Sequence, residues 1–289
     1  MFKKAFKILG LLILCLFSFF YTEKIVLLVK NQDPIMKKIN EYEKTYQVEP
    51  VNALIKQNKV IPGINGCGID INQSYINMKR IGSYNPNMIE YKEIKPELSI
   101  SNIYDKYLIK GNKKHFEVAL IFKVKEIEQL KDILVVLETK KVSGNFFLDG
   151  KFIEENSHLV IEIIKRGHEI YNGGYEGSYD KKLLTWTNTM IESVADNKSK
   201  YCLVIEENQN VLDLCSINKM HTIKAELLIN SHLTFNLLNK NIEKGSMIVF
   251  EDNSKIKLEL VTVINFLKQK GYKFSKLSNH LKEEDCLFR

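Results

Sequence analysis

The sequence predicts a mixed α/β protein of alternating strands and helices, and three observations support this fold class. Apolar runs of strand length alternate with amphipathic helical stretches from residue 117 onward. The chain has 289 residues, of which 45% are hydrophobic and 27% charged, which is ordinary for a folded protein with a substantial core. A separate apolar run at the N-terminus does not fit the alternating pattern and predicts a different role for that end.

The N-terminal apolar run, Ile8–Tyr21, follows three lysines within the first seven residues. This order is typical of a signal sequence, and no cleavage site of small residues follows it. The run is shorter than the about 20 apolar residues that span a bilayer, but the apolar patch at 25–29 could lengthen it. We therefore expect an uncleaved signal anchor over residues 1–29, with a secreted, cleaved form as the alternative; fractionation of cells would test this. The lysines predict a cytoplasmic N-terminus and an extracytoplasmic C-terminal domain.

The next segment, residues 30–113, predicts a stalk and a small N-terminal module. Helical spacing in Met36–Ile39 and Tyr42–Tyr46 indicates a short helical stalk, which Pro50 interrupts. From Val60 onward, glycine and asparagine occur where tight turns need them. We expect a β-rich or mixed module there.

Beyond residue 113 the pattern is that of βαβ units around a parallel sheet. Strands are predicted over Glu117–Phe122 and Ser143–Leu148, and helices over Glu126–Lys140 and Ser157–Arg166. Apolar residues at helical spacing predict one buried face of the first helix: Ile127, Leu130, Ile133, Leu134 and Leu137.

A short string after the second βα unit, Gly167-His-Glu-Ile-Tyr-Asn172, follows strands at Val118–Val124 and Asn145–Leu148. The order and spacing of these segments, ending in Gly271–Leu277, resemble the NodB-type polysaccharide deacetylases, also called carbohydrate esterase family four. The resemblance covers roughly the last three fifths of the chain. It implies a distorted (β/α) barrel over residues 114–289, in which Gly167, His168, Glu169 and Asn172 form a structural motif.

The family's metal-binding positions are replaced in this chain. By the resemblance, Lys123 stands where the family has its general base, an aspartate, and Val124 stands where the next aspartate binds a divalent metal. Gly173 and Gly177 stand at the two metal-binding histidines. Carboxylate and imidazole are the usual ligands of such ions, so we expect no bound metal and no cofactor.

Two further family positions are also changed. Leu203 matches the arginine that orients the catalytic aspartate, and Glu251 matches the histidine general acid. Lys123 and Glu251 exchange the sign of charge at both positions, which predicts a salt bridge between them across a vestigial groove. If this pair is partly buried, breaking it should cost more than breaking an exposed pair.

The aromatic residues and the cysteines allow two further interpretations, a sugar-stacking site and a disulfide bond. Trp186 with Tyr175 and Tyr179 could stack on sugar rings, but the helical context of Trp186 favours core packing. The chain's five cysteines do not suggest a disulfide framework. Cys202 and Cys215 could pair, or one could remain a buried thiol.

The net charge of +7, from 42 Lys and Arg against 35 Asp and Glu, is spread along the chain. This favours a solvated basic surface, and we expect no nucleic-acid partner. The favoured function is a membrane-anchored, extracytoplasmic deacetylase homologue of a Gram-positive bacterium, inactive as an enzyme, whose partner is cell-wall glycan or a cell-envelope protein.

Two alternative functions remain open at this point. One is an active N-deacetylase of cell-wall polysaccharide that holds a divalent metal such as zinc with displaced ligands. The other is a structural or assembly protein that acts through its N-terminal module. Metal analysis separates the first alternative from the favoured function, and deletion of residues 45–110 tests the second.

Overall fold

The computed structural model describes residues 2–195, 198–229, 235–251, 255–284 and 286. Its helices are α1 Phe2–Gln32, α2 Pro34–Tyr46, α3 Ile71–Ile81, α4 Ile127–Lys140, α5 Gly150–Glu155, α6 Ser157–Lys165, α7 Lys181–Ala195, α8 Gln209–Ile217, α9 Phe235–Asn241, α10 Ile256–Gln269 and α11 Leu277–His280. Its strands are β1 Leu54–Lys56, β2 Lys59–Ile61, β3 Gly66–Ile69, β4 Tyr91–Ile94, β5 Tyr107–Leu108, β6 Glu117–Lys123, β7 Asn145–Leu148, β8 Glu169–Asn172, β9 Tyr201–Leu203, β10 His221–Ile223, β11 Leu227–Ile229, β12 Met247–Glu251 and β13 Lys273–Phe274.

The large sheet is curled and mostly parallel, as the βαβ pattern predicts. Its strand order is β1-β2-β5-β10-β9-β8-β7-β6-β12-β11, and β13 also pairs with β6. Among these neighbours only β1 and β2 pair in the antiparallel sense within the described residues. The carboxyl ends of the parallel strands therefore meet at one edge, where such folds build their sites.

Both faces of this sheet are buried. Successive residues of a strand point to opposite faces, and the consecutive residues 118–122 of β6 are all buried. On β6, Val118, Leu120 and Phe122 pack under the helices, whereas Ala119 and Ile121 pack inside the curl. A strand buried on both faces is therefore a continuous apolar run.

The predicted apolar face of α4 is confirmed at four of its five positions. Leu130, Ile133, Leu134 and Leu137 are buried in the core between the sheet and the helices. Ile127 is 38% exposed, so its assignment to the core was wrong. It lies in the first turn of α4, at the edge of a pocket described below.

The described chain divides into two compact units that differ from the predicted boundaries at residues 29 and 113. Described residues within 50–65 and 95–285 form the larger unit, and described residues within 1–49, 66–94 and 286–289 form the smaller unit. The predicted stalk ends early, because after α2 the chain forms the hairpin of β1 and β2, which joins the large sheet.

A buried carboxylate joins distant loops of the larger unit. Glu283 accepts hydrogen bonds at Oε1 from the backbone N–H groups of Gly63, at 2.7 Å, and Ile100, at 3.1 Å. Its Oε2 accepts from the hydroxyl of Ser99. Its backbone carbonyl accepts from the N–H of Asn65 at 2.7 Å. The last part of the larger unit thus closes contacts with its first part.

The smaller unit has its own core, in which Ile39, Ile69 and Met78 are almost fully buried. The antiparallel pair of β3 and β4 packs with α2 and α3. Asp33 caps α2 by accepting from the backbone N–H of Ile35 at 2.9 Å.

The predicted anchor covers residues 1–29, of which 2–29 fall within α1 and residue 1 lies outside the described residues. Among the described residues, none of the helices combines the length and apolar character that a membrane crossing requires. The membrane location stays a prediction.

The expectation of no disulfide framework was wrong. The structure joins Cys202 to Cys215 within the larger unit, and Cys67 to Cys286 within the smaller unit. The first pair resolves the alternative left open by the sequence, since β9 and α8 bring these two cysteines together. Within the described residues Cys15 alone is a free thiol.

Candidate functional site

The charged pair predicted at the strand ends is present. Lys123 ends β6 and Glu251 ends β12, and these residues are partners in the parallel ladder. The Lys123 Nζ atom lies 3.7 Å from Glu251 Oε1, and the two side chains are 31% and 34% exposed. The pair is therefore confirmed, but its predicted placement across a groove was wrong, because the residues sit side by side on adjacent strands.

The residue after Lys123 belongs to the hydrophobic core. Val124 is 1% exposed and packs with the cluster between the sheet and its helices. A metal ligand must present a charged or polar group to the ion. The position that binds metal in the resembling family is filled here by a buried alkyl side chain.

The backbone at Gly173 leaves no room for a side chain. Its N–H donates to the carbonyl oxygen of Leu148 at 2.9 Å. A Cβ atom built on Gly173 would lie 2.9 Å from the Leu148 carbonyl carbon and oxygen and from the carbonyl carbon of Phe147. Because these are backbone atoms, a side chain at this position requires the strand ends to move.

Gly177 lies in a tight turn closed by Tyr175 and Ser178. The Tyr175 N–H donates to the Ser178 carbonyl at 2.8 Å, and the reverse bond measures 3.1 Å. The two central residues, Glu176 and Gly177, have φ of 48° and 79°. Positive φ at both positions is the type I′ pattern, which favours glycine. The Gly177 N–H also donates to Asp149 Oδ2 at 2.9 Å.

Leu203 ends β9 and is buried inside the curl of the sheet. Its backbone N–H donates to the hydroxyl of Tyr179 at 3.0 Å, and that hydroxyl lies 3.0 Å from the Asn172 carbonyl. Burial raises the pKa of Tyr179. This tyrosine therefore links two strand ends, and its hydroxyl is occupied by backbone.

The residues of the predicted structural motif make internal contacts. His168 is buried, and its Nδ1 accepts from the N–H of Gly144 at 3.2 Å. Burial, with smaller contributions from Lys276 and Arg166, lowers its pKa to about 4. Its Nδ1 contact implies that the neutral ring carries its proton on Nε2.

The other motif residues fix neighbouring backbone. Gly167 has φ of 82°, which places it in the left-handed region that glycine tolerates. Glu169 accepts from the hydroxyl of Tyr171 at 2.6 Å and from the N–H of Ser278 at 3.2 Å. Asn172 accepts from the N–H of Gly174 at 2.8 Å.

The family's metal does not fit the residues at these positions. Val124 is buried, Gly173 has no space for a side chain, and Gly177 occupies a glycine-favouring turn. In the part of the chain that the structure describes, no group of three or more His, Cys, Asp and Glu side chains could hold a metal ion. No reaction step through a metal can be derived from this arrangement.

A pocket of about 540 Å³ opens beside these strand ends. We call it the groove pocket, and its lining is Lys125, Glu126, Ile127, Glu128, Asp149, Lys151, Phe152, Glu155, Asn156, Glu176 and Gly177. Sequence reasoning identified only Gly177 as a site residue among them. Asp149 directly follows β7, at the carboxyl edge of the sheet. That position is the signal by which the sequence could have found it.

Three side chains, on α5, on α7 and in the turn after β8, form a hydrogen-bonded surface cluster. The indole Nε1–H of Trp186 donates to Glu154 Oε1 at 2.6 Å, and the hydroxyl of Tyr175 donates to Glu154 Oε2 at 2.8 Å. These hydrogen bonds, the one from Trp186 first, lower the pKa of Glu154. Trp186 is 51% exposed, so its predicted core packing was wrong.

The chain is similar in sequence or structure to several known proteins. No family model matches the sequence. The uncharacterized protein YlxY of Bacillus subtilis (strain 168) is 29% identical over 281 residues, covering 91% of this chain and 88% of that protein. The wild-type structure of BA3943 from Bacillus anthracis, described as a pseudoenzyme of carbohydrate esterase family four, has 25% identity and a TM-score of 0.65. It covers 88% of this chain and 96% of that one.

A second solved structure is less similar. A family 4 carbohydrate esterase from Bacillus anthracis is 22% identical, with a TM-score of 0.51, over 61% of this chain and 86% of that one. This likeness concerns the fold alone. The wild-type pseudoenzyme matches over more of the described chain, including residues before the βαβ pattern.

Proposed function

Because this chain is a degenerate member of carbohydrate esterase family four, the polysaccharide deacetylases, we propose that it is a pseudoenzyme that binds cell-wall glycan without deacetylating it. The similarity to a family pseudoenzyme at 25% identity supports this proposal. So do the changes at every predicted metal position.

The observation that carries the loss of activity is the backbone at Gly173. Hydrolysis by the family depends on a metal-activated water, and the ligands must surround the ion. A ligand cannot be supplied at Gly173 without moving the end of β7, since a Cβ atom would meet Leu148 at 2.9 Å.

The retained part of the site is the groove pocket at the carboxyl edge of the sheet. Its position is where α/β folds of this kind bind ligands. A protein of the cell envelope is the other partner that we consider, and it would dock at the same edge. We prefer glycan, because the described surface of the larger unit presents a half-exposed indole, that of Trp186, which suits the apolar face of a sugar ring.

The test combines metal analysis with an activity assay on the purified full-length protein. We expect no stoichiometric zinc, cobalt or nickel, and background acetate release from chitooligosaccharide or peptidoglycan. The Bc1960 peptidoglycan N-acetylglucosamine deacetylase serves as the positive control. About one metal per chain together with metal-dependent acetate release would establish the displaced-ligand hydrolase instead.

A further inference from the structure

A second pocket lies at the amino edge of the large sheet, whereas the groove pocket lies at the carboxyl edge. It opens where two strands start, because Glu169 begins β8 and Tyr201 begins β9. Its volume is about 210 Å³, several times the about 30 Å³ that one water takes in the liquid. We call it the amino-edge pocket, and its lining includes His168, Glu169, Lys198, Lys200, Tyr201 and Ser278.

His168 brings an unused hydrogen-bond donor to this pocket. The residue is 7% exposed, and its Nε2 atom is buried without a hydrogen-bond partner among the described residues. Its Nδ1 accepts from the N–H of Gly144, so the neutral ring carries its proton on Nε2. Gly144 is not part of the pocket lining. The ring edge that carries Nε2 is therefore the edge turned toward the pocket.

The unbonded N–H favours a ligand that brings an acceptor. A buried donor without a partner destabilises the free protein, and an acceptor that reaches it recovers this loss as binding free energy. Nε2 has almost no surface open to solvent, so the acceptor reaches it only when the pocket wall shifts. Lys198 and Lys200 are exposed side chains of that wall and can move without disturbing the core.

The charges that act on this donor are positive. Lys276 and Arg166 lie near enough to lower the pKa of His168, after the larger effect of burial. Lys200 is exposed and makes no ion pair in the part of the chain that the structure describes. A ligand oxygen at Nε2 is therefore favoured when it carries negative charge, because hydrogen bonds to charged groups are the stronger ones.

The carboxylates around the pocket are engaged in other contacts. Glu169 Oε2 accepts from the hydroxyl of Tyr171 at 2.6 Å and from the N–H of Ser278 at 3.2 Å, and its Oε1 accepts from the Ser278 hydroxyl. Glu192 lies 3.6 Å from Lys198, and the two side chains are 48% and 71% exposed. Solvent weakens such a pair, so an anion in the pocket can compete for Lys198.

We infer that the amino-edge pocket binds a phosphate group, as a free anion or as a phosphodiester within a longer molecule. The Nε2–H of His168 donates to one phosphate oxygen, and the ammonium groups of Lys198 and Lys200 neutralise the others. A tetrahedral anion offers oxygens in several directions and reaches all three groups at once, whereas a planar carboxylate has two oxygens. The site lies at the other edge of the sheet from the groove pocket, so it does not rest on the proposed glycan binding.

The test follows the imidazole itself. The full-length protein, which has six histidines, is labelled with ¹⁵N-histidine and titrated with inorganic phosphate, with a glycerol phosphodiester oligomer and, at equal ionic strength, with acetate. The signal of His168 is assigned by its loss in His168→Asn. We expect a saturable shift of the His168 Nε2–H signal with at least one phosphate probe and weaker binding of acetate.

Three variants locate the contacts by calorimetry. Lys200→Gln should weaken phosphate binding about two- to fivefold. His168→Asn keeps an acceptor for the N–H of Gly144 but removes the donor in the pocket, and it should weaken binding about tenfold. Lys141→Gln removes an exposed lysine of the same sheet edge outside the pocket lining and should leave binding unchanged. Thermal unfolding verifies that each variant is folded; if His168→Asn is not, the titration of the wild type and Lys200→Gln decide.

The two phosphate probes identify the source of the ligand. Binding of the oligomer alone indicates a phosphodiester polymer, and binding of inorganic phosphate alone indicates the free anion; either result supports the site. The inference is overturned if the His168 signal does not shift saturably with either probe, which would leave the pocket to water. Equal affinity for acetate, or an equal loss of affinity in Lys200→Gln and Lys141→Gln, would overturn it as well.

Discussion

The pair between Lys123 and Glu251 allows a quantitative test of how solvent limits an ion pair at the strand ends. The Nζ and Oε1 atoms are 3.7 Å apart, and each side chain is about one third exposed. At about 4 Å, two unit charges interact by about 1 kcal/mol in bulk water. Because solvent reaches both groups and holding them costs side-chain entropy, we expect a coupling free energy between about 0.2 and 1 kcal/mol.

The assay is urea unfolding of the wild type, Lys123→Met, Glu251→Gln and the double variant, followed by Trp186 fluorescence in the same unit. The coupling should fall in high salt. The matched control is the cycle of Lys257 and Asp132, whose side chains are 56% and 46% exposed, and which should couple less. A coupling above about 2 kcal/mol would show that the pair behaves as a buried one and would refute this reasoning.

Other predictions concern the loop and two buried histidines. Gly173→Ala should lower the free energy of unfolding by about 1–3 kcal/mol, because its Cβ would press on backbone atoms at 2.9 Å. Gly177→Asn has open space around the new side chain and should lower it by less than about 1 kcal/mol. Equal losses of stability in urea unfolding would contradict the steric argument. Burial lowers the pKa of His168 and His221 to about 4. The unfolded chain therefore binds protons first, below about pH 6.5, and stability falls from there toward pH 4 by up to about 1.4 kcal/mol per pH unit and histidine. The measurement is the free energy of unfolding between about pH 6.5 and 4. If it falls as steeply in the double variant His168→Gln, His221→Gln as in the wild type, these histidines are not the cause.

The sequence predicted the elements whose pattern is strong. Continuous apolar character predicted β6, and helical spacing predicted the buried face of α4. The neighbourhood of Lys123 and Glu251 followed from their motif positions at two strand ends. Short strands without a long pattern were missed: β1 and β2 have three residues each, so the hairpin that joins the sheet was interpreted as stalk.

Contacts set by helix rotation or by long-range closure were also missed. Spacing places Trp186 on α7 but does not determine how α7 rotates against the sheet, and the indole proved half exposed. Cys67 and Cys286 are separated by 219 residues, so their pairing has no local signature. The acidic lining of the groove pocket comes from three separate stretches of chain, which only the fold brings together.

The carboxylate of Glu283 has a consequence for biosynthesis. It is bonded to Gly63, 220 residues earlier, and strand β13 completes the sheet beside β6 at a similarly late point. Loops around Gly63 and Ile100 must therefore wait until residue 283 has been synthesised before their backbone N–H groups find this partner. Long-range closure of this kind slows folding and exposes unpaired strand edges in the meantime. The edge of β6 and the backbone groups of Gly63 and Ile100 therefore stay unpaired until β13 and Glu283 reach them.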